Sequence, residues 1–375
     1  MIYLVTTLKE LFDNPNYKVI GVEESLDLLT PLHVVGLDTE TGGLDCYTND
    51  LISLQLGCKD FQIVIDAKTV DVKLYKDFLE SDRTFIGWNL KFDLRFLFRL
   101  GIYPRKVYDG YLGEKLLWLG YPSGIHSLSL KSAGEKYLGV ELDKSVRGKI
   151  VWAGLTTEVI EYAANDVKYL QDIIENQWQE LIKKGLTEAI KIENKFVIPL
   201  AYMEFCGVKL DVDKWKAKMQ KDNEVLIKTQ EALDKWVVEH YPEDQRFTYI
   251  NREGDLWAGF DLTPHCKINW DSPKQVITLF KLLGFNLAAK DKKTGEIKDS
   301  VDAKVIEPQK DVCDIAPIYL EYKAASKVVG TYGQNFLDQI NPVSHRIHTN
   351  FMQLGADTTK KHSNICIIQK LFVTL

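Results

Sequence analysis

The 375-residue chain carries a net charge of −6 and contains 45% hydrophobic and 27% charged residues, a composition typical of a soluble globular protein of roughly two domains. No apolar stretch approaches the ~20 residues of a membrane span, and the N-terminus lacks the basic region of a secretory signal. The acidic balance argues against a protein that coats duplex nucleic acid. Six cysteines without metal-ligand spacing predict reduced thiols in a cytoplasmic protein and no zinc site.

Residues 1–185 alternate between strand-like and helix-like segments, which predicts an α/β domain. The predicted strands are 17–21, 33–37, 51–57, 61–66 and 84–87. The predicted helices are 22–30, 70–80, 91–100, 109–119, 127–138 and 156–183. The strands within 51–66 are separated by a short polar turn, which predicts a hairpin.

From about residue 186 the pattern becomes mainly helical, which predicts a second domain. Long amphipathic stretches cover 186–206 and 211–240, and a loop-rich region follows at 241–269. Helices are predicted to resume at 272–283, 301–305 and 312–339.

Acidic side chains stand at the predicted ends of elements in the first domain. Asp38 and Glu40 follow the β-branched, apolar run 34–37, and their i, i+2 spacing allows both carboxylates to point to one face of a strand end. Asp93 opens a predicted helix and gives it an acidic first turn.

A phenol and a further carboxylate share one face of a later predicted helix. Tyr162 and Asp166 are four residues apart, so the two side chains stack on the helix surface. Carboxylate oxygens are the ligands that hard cations such as Mg²⁺ prefer, and a pair of such cations can stabilise the attacking and leaving oxygens of a phosphodiester cleavage. Together these residues predict a nuclease site.

The stretches 34–44, 85–93 and 162–167 resemble, in this order, the Exo I, Exo II and Exo III motifs of the DEDDy exonucleases, a ribonuclease-H-like family. The resemblance implies 3′→5′ hydrolysis with two ions, Mg²⁺ or Mn²⁺. It implies that Asp38, Glu40 and Asp166 hold one ion, and that Asp38 and Asp93 hold the second, partly through water. Tyr162 would position the attacking water.

The same resemblance implies three substrate-binding residues. Leu44 matches the position of an apolar wedge that packs against the terminal base, and Thr39 and Asn89 match positions that contact the terminal nucleotide.

The second half resembles family A DNA polymerases. Residues 193–211 are similar to the junction between exonuclease and polymerase domains, 268–276 and 320–327 to the thumb, and 346–358 to the entry of the palm. The resemblance implies a ribonuclease-H-like exonuclease domain at 1–185, followed at 186–358 by a mostly α-helical thumb-like domain with the palm entry.

The resemblance stops between Thr358 and Thr359, before the motifs that carry the polymerase carboxylates. A loss at one residue favours a frameshift or a shortened reading frame over gradual divergence. Residues 359–375 are therefore expected to form an aberrant tail without a packing partner. No polymerase activity is expected from this chain alone, and a separate chain could supply the palm and fingers.

The expected function is a proofreading-type exonuclease that releases nucleoside monophosphates from DNA 3′ ends, acting on single strands or frayed primers in the cytoplasm of a bacterium or phage-infected host. One alternative is a ribonuclease-D-like RNA exonuclease, although such an enzyme should lack the thumb segments. Another is a catalytically idle DNA-binding replication partner.

Overall fold

The computed structural model describes residues 1–12, 14–121, 126–142, 150–250, 263–291 and 295–355. The chain divides into two compact units. The first comprises Met1–Lys209 and the segment from Asn341 onward, and the second comprises Leu210–Ile340. The predicted aberrant tail at 359–375 lies outside the described residues.

A seven-stranded sheet forms the centre of the first unit. Its strands are β1 (Ile2–Val5), β2 (Lys18–Val19), β3 (Val34–Thr41), β4 (Leu51–Gly57), β5 (Gln62–Asp66), β6 (Thr84–Gly87) and β7 (Lys106–Asp109). They lie in the order β2-β1-β5-β4-β3-β6-β7. Only β4 runs antiparallel to its neighbours. The α/β fold class is confirmed.

The parallel pairing of β3, β6 and β7 determines where polar side chains collect. Val34 pairs with Thr84, and Gly87 pairs with Asp109. Because parallel strands end at the same edge of a sheet, the residues that follow these three strands lie near one another.

Nine helices accompany this sheet in the described part of the first unit: α1 (Val22–Leu29), α2 (Lys76–Leu79), α3 (Lys91–Arg99), α4 (Gly110–Leu117), α5 (Leu130–Leu138), α6 (Ile150–Ala153), α7 (Thr157–Lys168), α8 (Leu170–Lys183) and α9 (Thr187–Cys206). Helix α7 lies close against β3 because Gly36 has no side chain. A Cβ there would stand 3.0 Å from the Val167 carbonyl oxygen and 3.1 Å from its Cβ.

Helix α9 packs into the core of the first unit. Ile190, Val197 and Ala201 are fully buried and belong to the same hydrophobic cluster as Val35 and Leu37 of β3. By packing, the first unit therefore extends to Lys209 and not to the predicted boundary at residue 185. The boundary at residue 185 was predicted between two family domains, not between packed units, and it remains a prediction.

The predicted elements and the observed ones differ at identifiable places. The hairpin at 51–66 is confirmed as β4 and β5. Strands β1 and β7 were not predicted. The helix predicted at 156–183 is two helices, because the chain turns at Tyr169 between α7 and α8.

The second unit is mostly helical, as expected. Its elements are α10 (Val212–His240), β8 (Thr248–Ile250), β9 (Pro264–Cys266), α11 (Pro273–Leu282), β10 (Ala288–Lys290), β11 (Ile297–Asp299), α12 (Ala303–Ile306), α13 (Ile315–Tyr332) and α14 (Gln334–Leu337). The helix predicted at 312–339 breaks at Gly333. Leu233, Trp270, Phe280 and Tyr319 lie at the centre of a separate core. None of the described helices has the length and apolarity needed to cross a membrane.

The chain leaves the first unit after Lys209 and returns at Asn341. The two crossings meet in a β-bridge, in which Val208 and Ile347 exchange backbone hydrogen bonds of 2.8 and 2.9 Å.

A buried ion pair holds the returning segment. The Lys91 ammonium lies 2.5 Å from the Glu204 carboxylate and also donates to the Asn350 amide and the Phe351 carbonyl. Glu204 accepts the Phe351 N–H at 2.7 Å. Because the side chains of Lys91 and Glu204 are 12% and 1% exposed, neither charge is well solvated.

Replacing Glu204 by alanine should destabilise the first unit strongly. The change leaves the Lys91 charge buried without its partner, which costs about 3–5 kcal/mol of unfolding free energy. Urea denaturation measures the effect. The control is Glu24→Ala, which removes the exposed Lys18–Glu24 pair and should cost less than about 1 kcal/mol. Similar losses in the two variants would contradict a stabilising role for the buried pair.

Candidate metal and nuclease site

Two of the predicted carboxylates lie on β3. Asp38 pairs with Gln55 of β4, and Glu40 pairs with Ser53, so both acids project from the same face of the strand. The register shifts between Glu40 and Thr41, which ends the regular pairing directly after the second acid. Both side chains are therefore held by a regular, buried strand.

Tyr162 and Asp166 lie on α7. Val159, Ile160, Ala163 and Val167 bury the apolar face of this helix. The close approach of α7 to β3 brings Asp166 beside the two acids of the strand. One carboxylate oxygen from each of Asp38, Glu40 and Asp166 lies within 4.8 Å of the other two.

Asp93 lies in the first turn of α3 and is only 3% exposed. The Thr39 hydroxyl donates to its carboxylate at 2.5 Å. Burial raises the pKa of Asp93, the hydrogen bond from Thr39 lowers it and the charge of Asp109 raises it, and together these effects bring the pKa to about 7. Asp93 thus lies beside the three-carboxylate group without being part of it.

One cavity of about 480 Å³ contains all eight residues that the sequence analysis assigned to the site. The structure thus brings these eight residues to one cavity, while the roles assigned to them remain predictions. The eight residues are Asp38, Thr39, Glu40, Leu44, Asn89, Asp93, Tyr162 and Asp166.

Sequence reasoning missed six further lining residues: Trp88, Phe92, Tyr111, Leu128, Ser129 and Leu130. Trp88 and Phe92 adjoin predicted site residues in the sequence, so proximity was an available signal. Tyr111 has no such signal, because it reaches the cavity only through the pairing of β7 with β6.

The donor set fits a hard divalent cation. Three carboxylates this close repel one another unless a cation offsets their charge, and oxygen ligands suit Mg²⁺ or Mn²⁺. Among the residues that the structure describes, this is the only group of three or more potential metal-ligating side chains.

The Tyr162 phenol is protonated at neutral pH. Burial raises its pKa, and the charges of Asp166 and Glu40 raise it further. The phenol thus keeps a proton with which it can donate a hydrogen bond inside a negatively charged cavity.

Comparison with known proteins assigns families to both parts of the chain. Residues 21–182 match the 3′–5′ exonuclease family model, and residues 259–371 match the DNA polymerase family A model. The second match continues beyond Thr358, where the resemblance was expected to stop.

Among curated proteins, the chain is similar to DNA polymerase I of Borreliella burgdorferi, with 25% identity over 90% of this chain and 35% of the relative. It is also similar to DNA polymerase I of Aquifex aeolicus, with 24% identity over 92% of this chain and 56% of the relative. The chain therefore spans less than two thirds of either relative.

A solved structure, the POL domain of Pol1 from M. smegmatis in complex with DNA primer-template and dNTP, matches 88% of this chain and 50% of its own length, with a TM-score of 0.60. The sequence identity is 18%, so this match supports the fold alone.

Replacing Asp38 by asparagine should stabilise the metal-free protein and reduce its response to metal. The change removes one of three mutually repelling charges, and each repulsion it relieves is worth roughly 1 kcal/mol even at the dielectric of bulk water. Thermal unfolding with Mg²⁺ or chelator at constant ionic strength measures both effects. The control, Asp60→Asn in the exposed turn between β4 and β5, should change neither. An equal Mg²⁺-induced shift in Asp38→Asn and wild type would contradict metal binding by this group.

Proposed function

We propose that this chain, in which residues 21–182 match the 3′–5′ exonuclease model and residues 259–371 the DNA polymerase family A model, is a metal-dependent 3′→5′ exonuclease that releases nucleoside monophosphates from the 3′ ends of DNA. The observation that carries the proposal is the convergence of four carboxylates and a protonated phenol in one cavity, within the segment that matches the exonuclease family. The activity would be proofreading in a full-length polymerase of this family.

The chain's own side chains divide into metal-holding and water-positioning groups. Asp38, Glu40 and Asp166 would hold one divalent cation, and Asp38 and Asp93 a second, partly through water. Two such cations supply the Lewis acidity that activates water and offsets charge on the scissile phosphate. Tyr162 would orient the attacking water through its hydroxyl, because the phenol stays protonated beside Asp166.

The mouth of the cavity offers groups that suit a nucleotide. Leu44 is 79% exposed although it is apolar, which suits a side chain that packs on a base. Asn89 also lines the cavity and would contact the terminal nucleotide. The Thr39 hydroxyl donates a hydrogen bond to the Asp93 carboxylate. Thr39 would therefore fix this carboxylate in addition to contacting the terminal nucleotide.

DNA is favoured over RNA as substrate because the second half of the chain matches a DNA polymerase family and the curated relatives are DNA polymerases. Their bacterial origin suits action in a bacterial cytoplasm. A ribonuclease-D-like enzyme acting on RNA is the alternative that the assay must distinguish.

The decisive experiment is digestion of 5′-labelled oligonucleotides of matched DNA and RNA sequence, with Mg²⁺ or with chelator. We expect a ladder that shortens from the 3′ end of DNA, only with metal. Faster digestion of the RNA strand would favour the alternative substrate, and no digestion of either strand would favour an idle DNA-binding protein.

Replacing Asp38 by alanine should abolish digestion, because this residue would contact both cations. The control Asp60→Ala changes an exposed acid that does not line the cavity and should leave the rate unchanged. Gel assays at saturating Mg²⁺ measure the rates. Wild-type degradation by Asp38→Ala would show that the site is wrongly assigned.

Replacing Tyr162 by phenylalanine should slow digestion on the order of 10–10³-fold, since only the orienting hydroxyl is lost. Metal affinity should remain nearly unchanged. The matched control is Tyr169→Phe, just beyond α7 and outside the lining of the cavity. Loss of Mn²⁺ binding in Tyr162→Phe would contradict the proposed role.

Single strands and frayed ends should be digested faster than blunt duplexes, with little sequence preference, because the terminal base must leave its partner to pack on Leu44. Leu44→Ala should lower kcat/KM on single strands by about 5–30-fold, from the ~1–2 kcal/mol of lost apolar contact. Leu74→Ala, an exposed leucine outside the cavity, is the control. Faster digestion of a blunt duplex would exclude this substrate model.

A further inference from the structure

We propose that Asp109 is a positioning residue of the site, whose buried carboxylate fixes the backbone at Asn89 and Leu90 and thereby sets where Asn89 and Asp93 stand. This inference rests on the proposed function. Asp109 does not line the cavity, so it would act through these residues and not on the nucleotide.

Three backbone N–H groups converge on this one side chain. Asp109 is the last residue of β7, is 2% exposed, and pairs with Gly87 at the end of β6. One carboxylate oxygen accepts the Asn89 N–H at 2.8 Å and the Tyr111 N–H at 3.0 Å. The other accepts the Leu90 N–H at 2.9 Å. Charge-assisted bonds of this kind are about twice as strong as neutral ones.

These bonds hold an unfavourable backbone conformation. Asn89 has a φ of +66°, in the left-handed region that residues other than glycine rarely adopt, although Asn tolerates it better than most. Such a residue persists where its surroundings over-determine it. Helix α3 starts at Lys91, so a change of backbone at Asn89 and Leu90 would move the first turn that carries Asp93.

The neighbours of Asp109 support the same assignment. The Asn194 side chain on α9 accepts the Asp109 N–H at 2.6 Å and donates to the Ile190 carbonyl at 3.1 Å, which ties β7 to a buried helix. A Cβ on Gly110 would lie 2.7 Å from the Trp88 ring. Asp109 and Gly110 together thus determine the path of the segment that presents Trp88 and Asn89 to the cavity.

Asp66 provides a matched control within the same sheet. It is 1% exposed, ends β5 as Asp109 ends β7, and accepts hydrogen bonds from the Thr6 and Thr69 hydroxyls and the Lys68 N–H. None of these three partners lines the cavity. Asp66→Asn therefore reports the general cost of weakening a buried, hydrogen-bonded carboxylate.

The experiment compares Asp109→Asn with Asp66→Asn by three measurements on the full chain: Mn²⁺ binding by electron paramagnetic resonance, hydrogen exchange of a peptide spanning residues 88–93, and oligonucleotide digestion. The amide that Asp109→Asn introduces would turn a donor toward one of the N–H groups that the carboxylate accepts. We expect Asp109→Asn to weaken Mn²⁺ binding and lower kcat by about 10–100-fold each, as for other groups that orient metal ligands.

Exchange in the 88–93 peptide should also accelerate in Asp109→Asn, whereas Asp66→Asn should keep wild-type exchange there and wild-type Mn²⁺ affinity. Wild-type Mn²⁺ affinity and exchange in folded Asp109→Asn would overturn the proposal. Equal changes in Asp66→Asn would overturn it too, since the effect would then be general destabilisation.

Should Asp109→Asn fail to fold, Asn194→Ala decides. It removes the acceptor for the Asp109 N–H and should accelerate exchange at 88–93 and weaken Mn²⁺ binding in the same direction but by less, whereas unchanged values would refute the role. If the wild-type chain digests no oligonucleotide, the proposed function is wrong. The exchange measurement would still show whether Asp109 fixes the backbone at residues 88–93.

Discussion

Carboxylates repel one another, and the first unit holds four of them around one cavity of about 480 Å³. Each acid is carried by an element whose other face is buried: β3 carries Asp38 and Glu40, α3 carries Asp93, and α7 carries Asp166. The hydrophobic core around Val35 and Leu37 stabilises an arrangement that electrostatics alone would open. The glycine contact at Gly36 matters for the same reason, because it lets α7 approach the strand closely enough to complete the three-carboxylate group.

The site therefore combines electrostatic repulsion between carboxylates with hydrogen bonds that fix the positions of the side chains. A bound cation would relieve the repulsion, whereas the supporting hydrogen bonds exist without it. Thr39 fixes Asp93, and Asp109 fixes the turn before α3. Because these groups are already in place, the site needs little rearrangement when substrate and cations bind. Electrostatic catalysis is effective when this reorganisation cost is small.

The site could be predicted from the sequence because its residues carry local signals. Asp38 and Glu40 follow a β-branched run, and Tyr162 and Asp166 have helical spacing, so type and pattern agree. Strand β7 could not be predicted in the same way, because Lys106–Asp109 is a short segment that becomes a strand through parallel pairing with β6. Asp109 was missed with it, since its role depends on N–H groups that are distant in the sequence. The extent of the first unit could not be predicted either, because α9 becomes part of that unit only through tertiary packing against its core.

The β-bridge between Val208 and Ile347 makes the second unit an insertion in topological terms. Both of its chain ends leave from paired segments of the first unit, so the span Leu210–Ile340 closes a loop whose ends are already together. Loop-closure entropy grows only slowly with loop length, so the stability of the first unit depends little on the length of chain inside that loop. A short linker, a longer domain or a proteolytically nicked one could occupy it, provided that the returning segment still supplies Phe351 to Glu204 and Lys91. The smallest self-contained form of the first unit would then be built from two separate stretches of chain, and cutting the chain after Lys209 would remove part of its framework.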